Sequence, residues 1–303
     1  MKHYKTISQL HQDSNFKAPE HPMISLIHCD DVNTCSVGQS KFTCDFYMIA
    51  LKKIASGSFL YGKSVYDHDN GSMSFVKPRQ AMEMNSVVMA ENAFVIFIHE
   101  DYFLGHNLHT EIKKYSFFDY ETNEALHLSP SEEKIIWELY DKISLEYKNN
   151  ADEFSKDIIL THIDSILKYA QRFYKRQFIN RKIASGPIVT RFTEILYSYV
   201  EGGQINSKGL PTVTAVAAQL NISSRYLSDL LKQETGKTAL EQIHIFLIDE
   251  AKNLLTGTEH TIAETAYQLG FENPPYFTRL FKKQTGMTPV EYRTKLINPL
   301  QSN

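Results

Sequence analysis

Two short segments near the C-terminus carry hydroxyl and basic side chains between apolar ones. An arginine guanidinium can donate two hydrogen bonds to the edge of a guanine base, serine and threonine hydroxyls make small adaptable contacts, and lysine ammonium groups reach phosphates. We therefore expect both segments to contact duplex DNA. The candidate contact residues are Ser223, Ser224, Arg225, Ser228, Asp229 and Lys232 in the first segment, and Asn273, Pro275, Tyr276, Thr278, Arg279, Lys282 and Lys283 in the second.

Asp229 differs from the other candidates, because its carboxylate cannot attract a phosphate. It either accepts a hydrogen bond from a cytosine amino group or restrains Arg225 or Lys232. We favour the second interpretation. Tyr226 and Tyr276 are expected at the edge between the core and the DNA groove.

The two segments belong to an internal repeat. Residues 217–238 align with residues 266–288, at an offset of 49 up to Ile222 and of 50 from Ser223 onward. A repeat this local indicates one small supersecondary unit used twice. Its caps, turn and apolar stripes are those of a helix-turn-helix, which we place at residues 212–235 and 261–285. The expected N-caps are Thr212, Ser223, Thr261 and Asn273, and the expected C-terminal glycines are Gly236 and Gly286.

A helix over about residues 239–255 joins the two units. At ~1.5 Å per residue it is roughly 25 Å long. Successive major grooves recur about every 34 Å along one face of B-DNA, so this spacer can set two recognition helices in successive grooves.

The second copy and its surroundings resemble the signature of AraC/XylS-type transcription regulators, over about residues 195–296. The resemblance implies a two-unit DNA-binding domain behind a sensor or dimerisation domain, which in many members is a cupin-like jelly roll. Pro275 departs from the pattern, because the family commonly has serine there, and it removes a possible hydroxyl contact to DNA. The residues that carry the resemblance are Ala266 to Phe271, Asn273, Tyr276 to Lys283, Thr285 to Pro289, Tyr292 and Arg293.

The expected fold class is α+β, with a cupin-like β-barrel or jelly roll and a helix pair before an all-α C-terminal domain. A sensor or dimerisation domain is predicted over residues 1–176, followed by a linker at 177–188 and a DNA-binding domain at 189–298. Within the first, residues 1–126 are β-rich and residues 129–176 form the helix pair. Runs rich in β-branched and aromatic residues predict strands at Phe42–Leu51, Phe59–Tyr61, Met73–Val76, Ser86–Met89 and Ala93–Ile98.

The composition of the 303-residue chain is that of a globular protein with a net charge of −3. Residues 166–303 hold 17 Lys and Arg against 11 Asp and Glu, whereas residues 1–165 hold 15 against 24, so the basic excess lies with the repeat. No apolar run is long enough for a membrane span, and no signal peptide is visible, which favours a cytoplasmic protein. The spacing of Cys29, Cys35 and Cys44 matches no zinc pattern, and reduced thiols are expected.

The expected partners are double-stranded promoter DNA, RNA polymerase, a small-molecule effector of unknown identity, and a second copy of the chain bound through the N-terminal domain or helices 129–176. No catalytic residue, cofactor or metal is expected. His99, His106 and His109 invite a metal interpretation, but no His-x-His with a matching later Glu and His is present.

Two enzyme alternatives stay open, a cupin-type metalloenzyme and a DNA-repair protein, each with a DNA-binding tail. A third is a protein-binding module. The basic and hydroxyl residues on both outward faces disfavour it, because a protein groove would prefer aliphatic anchors.

Overall fold

The computed structural model describes residues 1–29, 36–37, 40–52, 54–61, 64–65, 71–89, 92–120, 124–149, 152–185, 188–257 and 260–297. The chain divides into two compact units, Met1–Arg181 and Lys182–Asn303. The division falls inside the segment 177–188 that we expected to be a linker, and the chain is helical there up to Ser185. Mixed strands and helices precede an all-helical unit, so the α+β class is confirmed.

Strands in the described part of the first unit form two sheets. The first sheet has the order β1-β4-β9-β6-β7, with β3 also paired to β9, and the second has the order β11-β8-β5-β10-β2. All pairs among the described strands are antiparallel except β1 with β4. The strands are β1 (Lys2–Tyr4), β2 (Ile24–His28), β3 (Ser36–Val37), β4 (Ser40–Cys44), β5 (Phe46–Lys52), β6 (Ile54–Tyr61), β7 (Ser64–Val65), β8 (Ser72–Val76), β9 (Met82–Met89), β10 (Phe94–His99) and β11 (Leu126–His127).

The predicted single strand Phe42–Leu51 is wrong, because the chain bends at Asp45 and changes sheet. The N–H of Asp45 donates to the carbonyl of Tyr4, which extends the β1–β4 pairing to the bend. Strand β4 then belongs to the first sheet and β5 to the second. The other four predicted strands overlap β6, β8, β9 and β10.

The second sheet is buried on both faces. Phe46, Met48 and Ala50 of β5 join a cluster with Phe42 and Met82 of the first sheet. Alternate residues point the other way, and the Tyr47 ring meets that of Phe118 at 5.2 Å. Burial on both faces explains why β5 is a continuous apolar run rather than an alternating one.

Helices cover the outer face of the second sheet. Ser129 caps α3 (Pro130–Lys148) through a capping box with Glu132. Tyr140 of α3 stacks on Phe94 of β10, with ring centroids 4.1 Å apart. Arg176 of α4 (Ser155–Ser185) donates from Nε and Nη2 to the two carboxylate oxygens of Glu132, at 3.0 and 2.7 Å. A further short helix, α1 (Ile7–Asp13), precedes β2. The remaining helical turns are α2 (Leu108–Glu111) and 3-10 turns at Glu100–Phe103, Ile112–Lys114 and Ser116–Asp119.

The cysteines differ from the expectation in one respect. Cys29 is disulfide-bonded, so the expectation of reduced thiols is wrong for this residue. Cys44 is free and buried. Burial is the main reason that the pKa of its thiol is raised to about 11, so it is not a reactive thiolate at neutral pH. Cys35 lies outside the described residues.

The second unit is built from eight described helices. The long helix α9 packs against α7 and α8, which precede it in the chain, and against α10, α11 and α12, which follow it. At 19 residues it is about 28 Å long. No helix among the described residues of the chain is long and apolar enough to cross a membrane. The helices are α5 (Ile188–Glu201), α6 (Gln204–Lys208), α7 (Val213–Gln219), α8 (Ser224–Thr235), α9 (Ala239–Gly257), α10 (Ile262–Gln268), α11 (Pro274–Thr285) and α12 (Pro289–Ile297).

Candidate nucleic-acid interface

The first helix-turn-helix comprises α7 and α8. The Oγ1 of Thr212 accepts the N–H of Ala215, and the Oγ of Ser223 accepts the N–H of Tyr226, both at 3.1 Å. Asn221 makes the turn with φ of 54°, a left-handed conformation that asparagine tolerates. Gly236 ends α8 with φ of 77°.

The second helix-turn-helix comprises α10 and α11 and follows the same plan. Thr261 and Glu264 form a complete capping box, and the Oδ1 of Asn273 accepts the N–H of Tyr276 at 3.1 Å. Gly270 makes the turn with φ of 76°, and Gly286 ends α11 with φ of 83°. All four predicted N-caps and both C-terminal glycines are therefore present.

The turn of the second helix-turn-helix packs against the segment that leads into the first helix-turn-helix. A Cβ added at Gly270 would lie 3.0 Å from the carbonyl carbon of Gly209 and 3.2 Å from the N of Leu210. The Tyr199 hydroxyl holds this segment by donating to the Gly209 carbonyl at 3.3 Å. Thr212, the first N-cap, follows two residues after Leu210. The spacing of the two helix-turn-helices thus depends on a close backbone contact.

Buried side chains determine which faces of α8 and α11 are free. Leu227, Leu230 and Leu231 are buried on α8, and Phe277, Leu280 and Phe281 on α11. The two tyrosines that we expected at the edge differ, because Tyr226 is fully buried whereas Tyr276 is 39% exposed. Tyr276 therefore remains a surface residue and Tyr226 belongs to the core.

The candidate contact residues lie on the opposite faces. On α8, Arg225 and Lys232 are exposed, and Ser224, Ser228 and Asp229 are half-buried. On α11, Thr278 is half-buried. Ser223 is the exception, because it is buried and its hydroxyl serves as a cap. The exposed candidates of the second unit are Asn273, Pro275, Tyr276, Arg279, Lys282 and Lys283.

Two polar candidates on α8 already have partners within the protein. The Nε of Arg225 lies 3.6 Å from the Oδ2 of Asp229, as the restraining interpretation of Asp229 requires. The Oγ of Ser224 donates to the Oγ1 of Thr214 on α7 at 3.2 Å. The Ser224 contact has no signal in the sequence, because it joins two helices across the turn.

The second helices of the two helix-turn-helices, α8 and α11, differ in charge. Helix α8 contains two basic and two acidic residues and is neutral, whereas α11 contains three basic residues and no acidic one. At the position where α8 has Asp229, fifty residues later, α11 has Arg279. The basic charge of the candidate DNA-contacting surface is therefore concentrated on α11, in the second helix-turn-helix.

Two of the three histidines that invited a metal interpretation, His99 and His106, accept hydrogen bonds from backbone groups two residues away. The Nδ1 atoms of His99 and His106 accept the N–H groups of Asp101 and Leu108, at 3.3 and 3.1 Å. Among the described residues, no three His, Cys, Asp or Glu side chains are grouped so that they could hold a metal ion.

Known proteins match the part of the chain that carries this interface. Residues 216–295 match a family model described as a helix-turn-helix domain. They form an AraC-type domain. The transcriptional activator RhaR of Yersinia pseudotuberculosis is 38% identical over 73 residues, which are 24% of this chain and 25% of RhaR. An HTH-type transcriptional regulator of Pseudoalteromonas carrageenovora is 35% identical over 95 residues, 31% of this chain and 54% of that protein.

Solved structures match the AraC-type domain as well. The C-terminal domain of the response regulator AraT from Geobacillus stearothermophilus is 31% identical and covers 37% of this chain and 86% of its own, with a TM-score of 0.32. The C-terminal domain of the response regulator yesN from Fusobacterium nucleatum is 33% identical and covers 33% and 96%, with a TM-score of 0.29. The chain spans about a quarter of RhaR and about half of the Pseudoalteromonas regulator.

Proposed function

We propose that this protein is a sequence-specific DNA-binding transcription regulator with no enzymatic activity. The observation that carries the proposal is the pair of capped helices, α8 and α11, which bury apolar side chains at three equivalent positions and leave basic and hydroxyl side chains outside. RhaR, which is similar over the AraC-type domain, is a transcriptional activator by name. Such a regulator of promoter DNA works in the cytoplasm, and it contacts RNA polymerase when it acts on transcription.

Each recognition helix enters a major groove with its first turns. Arg279 donates to the O6 and N7 of a guanine, and Arg225 does so on the first unit once its contact with Asp229 is released. The lysines toward the ends of the helices, Lys232, Lys282 and Lys283, neutralise phosphates. Helix α9, about 28 Å long, holds the two helices at a spacing compatible with grooves that recur about every 34 Å.

The N-terminal unit acts as a cupin-like sensor or dimerisation domain. Its two sheets with a shared apolar core support a jelly-roll arrangement. The apolar stripe of α3, including Ile136, Tyr140 and Ile143, is buried within its own unit and is not available to a second copy. Dimerisation through the helix pair therefore uses the exposed apolar residues near the turn between α3 and α4, Leu145 and Phe154, which are 69% and 61% exposed.

The test is binding of the full-length protein to fragments of its own genome, followed by titration of the best site at several salt concentrations. We expect enrichment of a preferred sequence and a steep decrease of the binding constant with salt, because each neutralised phosphate releases counterions. Lys237→Gln, a change of an exposed lysine outside α8 and α11, is the matched control for changes on the two helices. A shallow salt dependence without a preferred sequence would refute the proposal.

A further inference from the structure

A cavity of about 310 Å³ lies in the N-terminal unit along the outer edge of β2. Strand β2 is the last strand of its sheet and pairs only with β10 among the described strands. The cavity is closed by the segment that joins α1 to β2, residues 17–20, and by the face of α3 from Tyr140 to Lys148. It therefore lies outside the space between the two sheets.

Hydrogen bonds hold the wall of this cavity in place. The Nδ1 of His11 donates to the carbonyl of Lys17 at 2.5 Å, and since a carbonyl only accepts, Nδ1 carries the proton. Burial lowers the pKa of His11, so the ring is neutral and its Nε2 accepts the hydroxyl of Ser25 at 3.0 Å. The N–H of Glu20 donates to the Tyr147 hydroxyl oxygen at 2.9 Å. These bonds tie residues 17–20 to α1, β2 and α3.

Two polar side chains on α3 line the cavity and have no bonding partner among the described residues. Ser144 and Lys148 lie one helical turn apart and both line the cavity. Within the part of the chain that the structure describes, neither side chain makes a hydrogen bond or an ion pair. The other ammonium group at the mouth, that of Lys17, faces the carboxylate of Glu20 at 3.7 Å.

The backbone of β2 adds polar groups on the same side. The bonds from Cys29 N–H to the Ala93 carbonyl and from His99 N–H to the Met23 carbonyl fix which residues of β2 bond to β10. In an antiparallel pair these residues alternate, so the N–H and carbonyl of Leu26 point away from β10, toward the free edge.

The size and lining of the cavity select a ligand class. At roughly 30 Å³ per water-sized group, the cavity holds about ten non-hydrogen atoms. Pro19, Ile27 and Tyr140 offer apolar surface, whereas Lys148 and Ser144 offer one positive charge and one hydroxyl. Because the Glu20 carboxylate lines the same mouth, a single negative charge fits better than a dianion.

We propose that this cavity binds a small carboxylic acid, with its carboxylate at Lys148 and Ser144 and its apolar body against Pro19 and Tyr140. The site goes beyond DNA binding and does not depend on it.

Trp137 provides the readout, because it is the only tryptophan in the chain. Its ring lies 5.5 Å from Tyr140 and 5.4 Å from His28, and both of these residues line the cavity. Full-length protein without DNA is titrated with hexanoate and with benzoate while Trp137 fluorescence is followed. We expect a saturable change with at least one acid, and binding at least tenfold weaker for its neutral amide, hexanamide or benzamide.

Variants decide whether the response comes from this cavity. Lys148→Gln, at an exposed position, should weaken binding at least tenfold, whereas Lys142→Gln, exposed on the same helix but outside the cavity, should not change it. Ser144→Leu should fill the cavity and abolish the response, and Lys148→Gln remains decisive if that variant does not fold. No saturable response to either acid, equal binding of acid and amide, equal loss in Lys142→Gln, or tighter binding of inorganic phosphate would each overturn the proposal.

Discussion

The two helix-turn-helix units share one scaffold but differ in charge. Helices α8 and α11 each begin at a residue whose side chain accepts the N–H three residues on, and each ends at a left-handed glycine. Three equivalent positions are buried on both helices, whereas the equivalent tyrosines are buried on α8 and exposed on α11. Yet α8 is neutral and holds Arg225 against Asp229, whereas α11 has three basic residues and no acidic one. The buried half of the repeat sets the shape, and the exposed half is free to take a different chemistry.

The turns of the two units differ as well. Asn221 and Gly270 both adopt a left-handed conformation. Only Gly270 has backbone atoms of a neighbouring segment where a Cβ would be, at Gly209 and Leu210. The first turn therefore accommodates a side chain in a left-handed conformation, whereas the second requires the absence of a side chain.

The largest expected effect is on that second turn. Gly270→Ala should lower the free energy of unfolding by about 3 kcal/mol, the sum of left-handed backbone strain and steric overlap with Gly209. Asn221→Ala, which adds no steric overlap because Asn221 already carries a Cβ, should cost less: about 1 kcal/mol of left-handed strain and the contacts of its own side chain. Denaturant unfolding followed by helical circular dichroism compares the two. Equal losses would show that the contact at Gly270 relaxes without cost.

The next effect concerns the two arginines. Arg279→Ala should weaken binding at the best DNA site by about 2 kcal/mol and relax the preference at one base pair, because a bidentate contact to guanine is lost. Arg225→Ala should cost less, about 1 kcal/mol, because Arg225 must first leave Asp229. Binding to a set of singly substituted sites measures both. A uniform loss over all sequences would make Arg279 a phosphate contact instead.

The helical unit was predictable because its signals are local. Each cap and turn depends on residues within a few positions, so Ser223, Asn273 and the glycines after α8 and α11 could be assigned without knowledge of the fold. The partner of Asp229 was left between Arg225 and Lys232, and the structure has Arg225. The sequence does not determine side-chain rotamers, so it could not decide which basic residue lies against Asp229.

The sheet unit was less predictable because its elements depend on distant partners. The bend at Asp45 is fixed by Tyr4, and strand β2 exists through its pairing with β10, about seventy residues away. The run Ile24–His28 has no strict alternation of apolar and polar residues, so its pattern does not distinguish a strand from a loop. The cavity beside β2 was also hidden, since it forms only when α3 packs across the strand edge.

A smaller difference is expected between the equivalent lysines. Lys282→Gln should weaken binding by about 1 kcal/mol across all sequences and reduce the salt slope by about 0.9, as expected for one phosphate contact. Lys232→Gln on the neutral helix should reduce the slope by less if α11 provides most of the attraction. Salt titrations of both variants on the same site give the comparison. An equal reduction of the salt slope in both variants would mean that the charge difference between the helices does not affect DNA binding.

The smallest effect distinguishes the two interpretations of Asp229. If it restrains Arg225, Asp229→Asn should free that guanidinium and remove a negative charge near the phosphates, so binding should tighten by about 0.5 kcal/mol. If it instead accepts a hydrogen bond from a cytosine amino group, the variant should bind more weakly and lose preference at one base pair. The double variant Arg225→Ala with Asp229→Asn separates the cases, because the gain from Asp229→Asn should vanish when Arg225 is absent. A gain that persists without Arg225 would mean that Asp229 acts only by repelling phosphate, and the ion pair on α8 would then have no part in recognition.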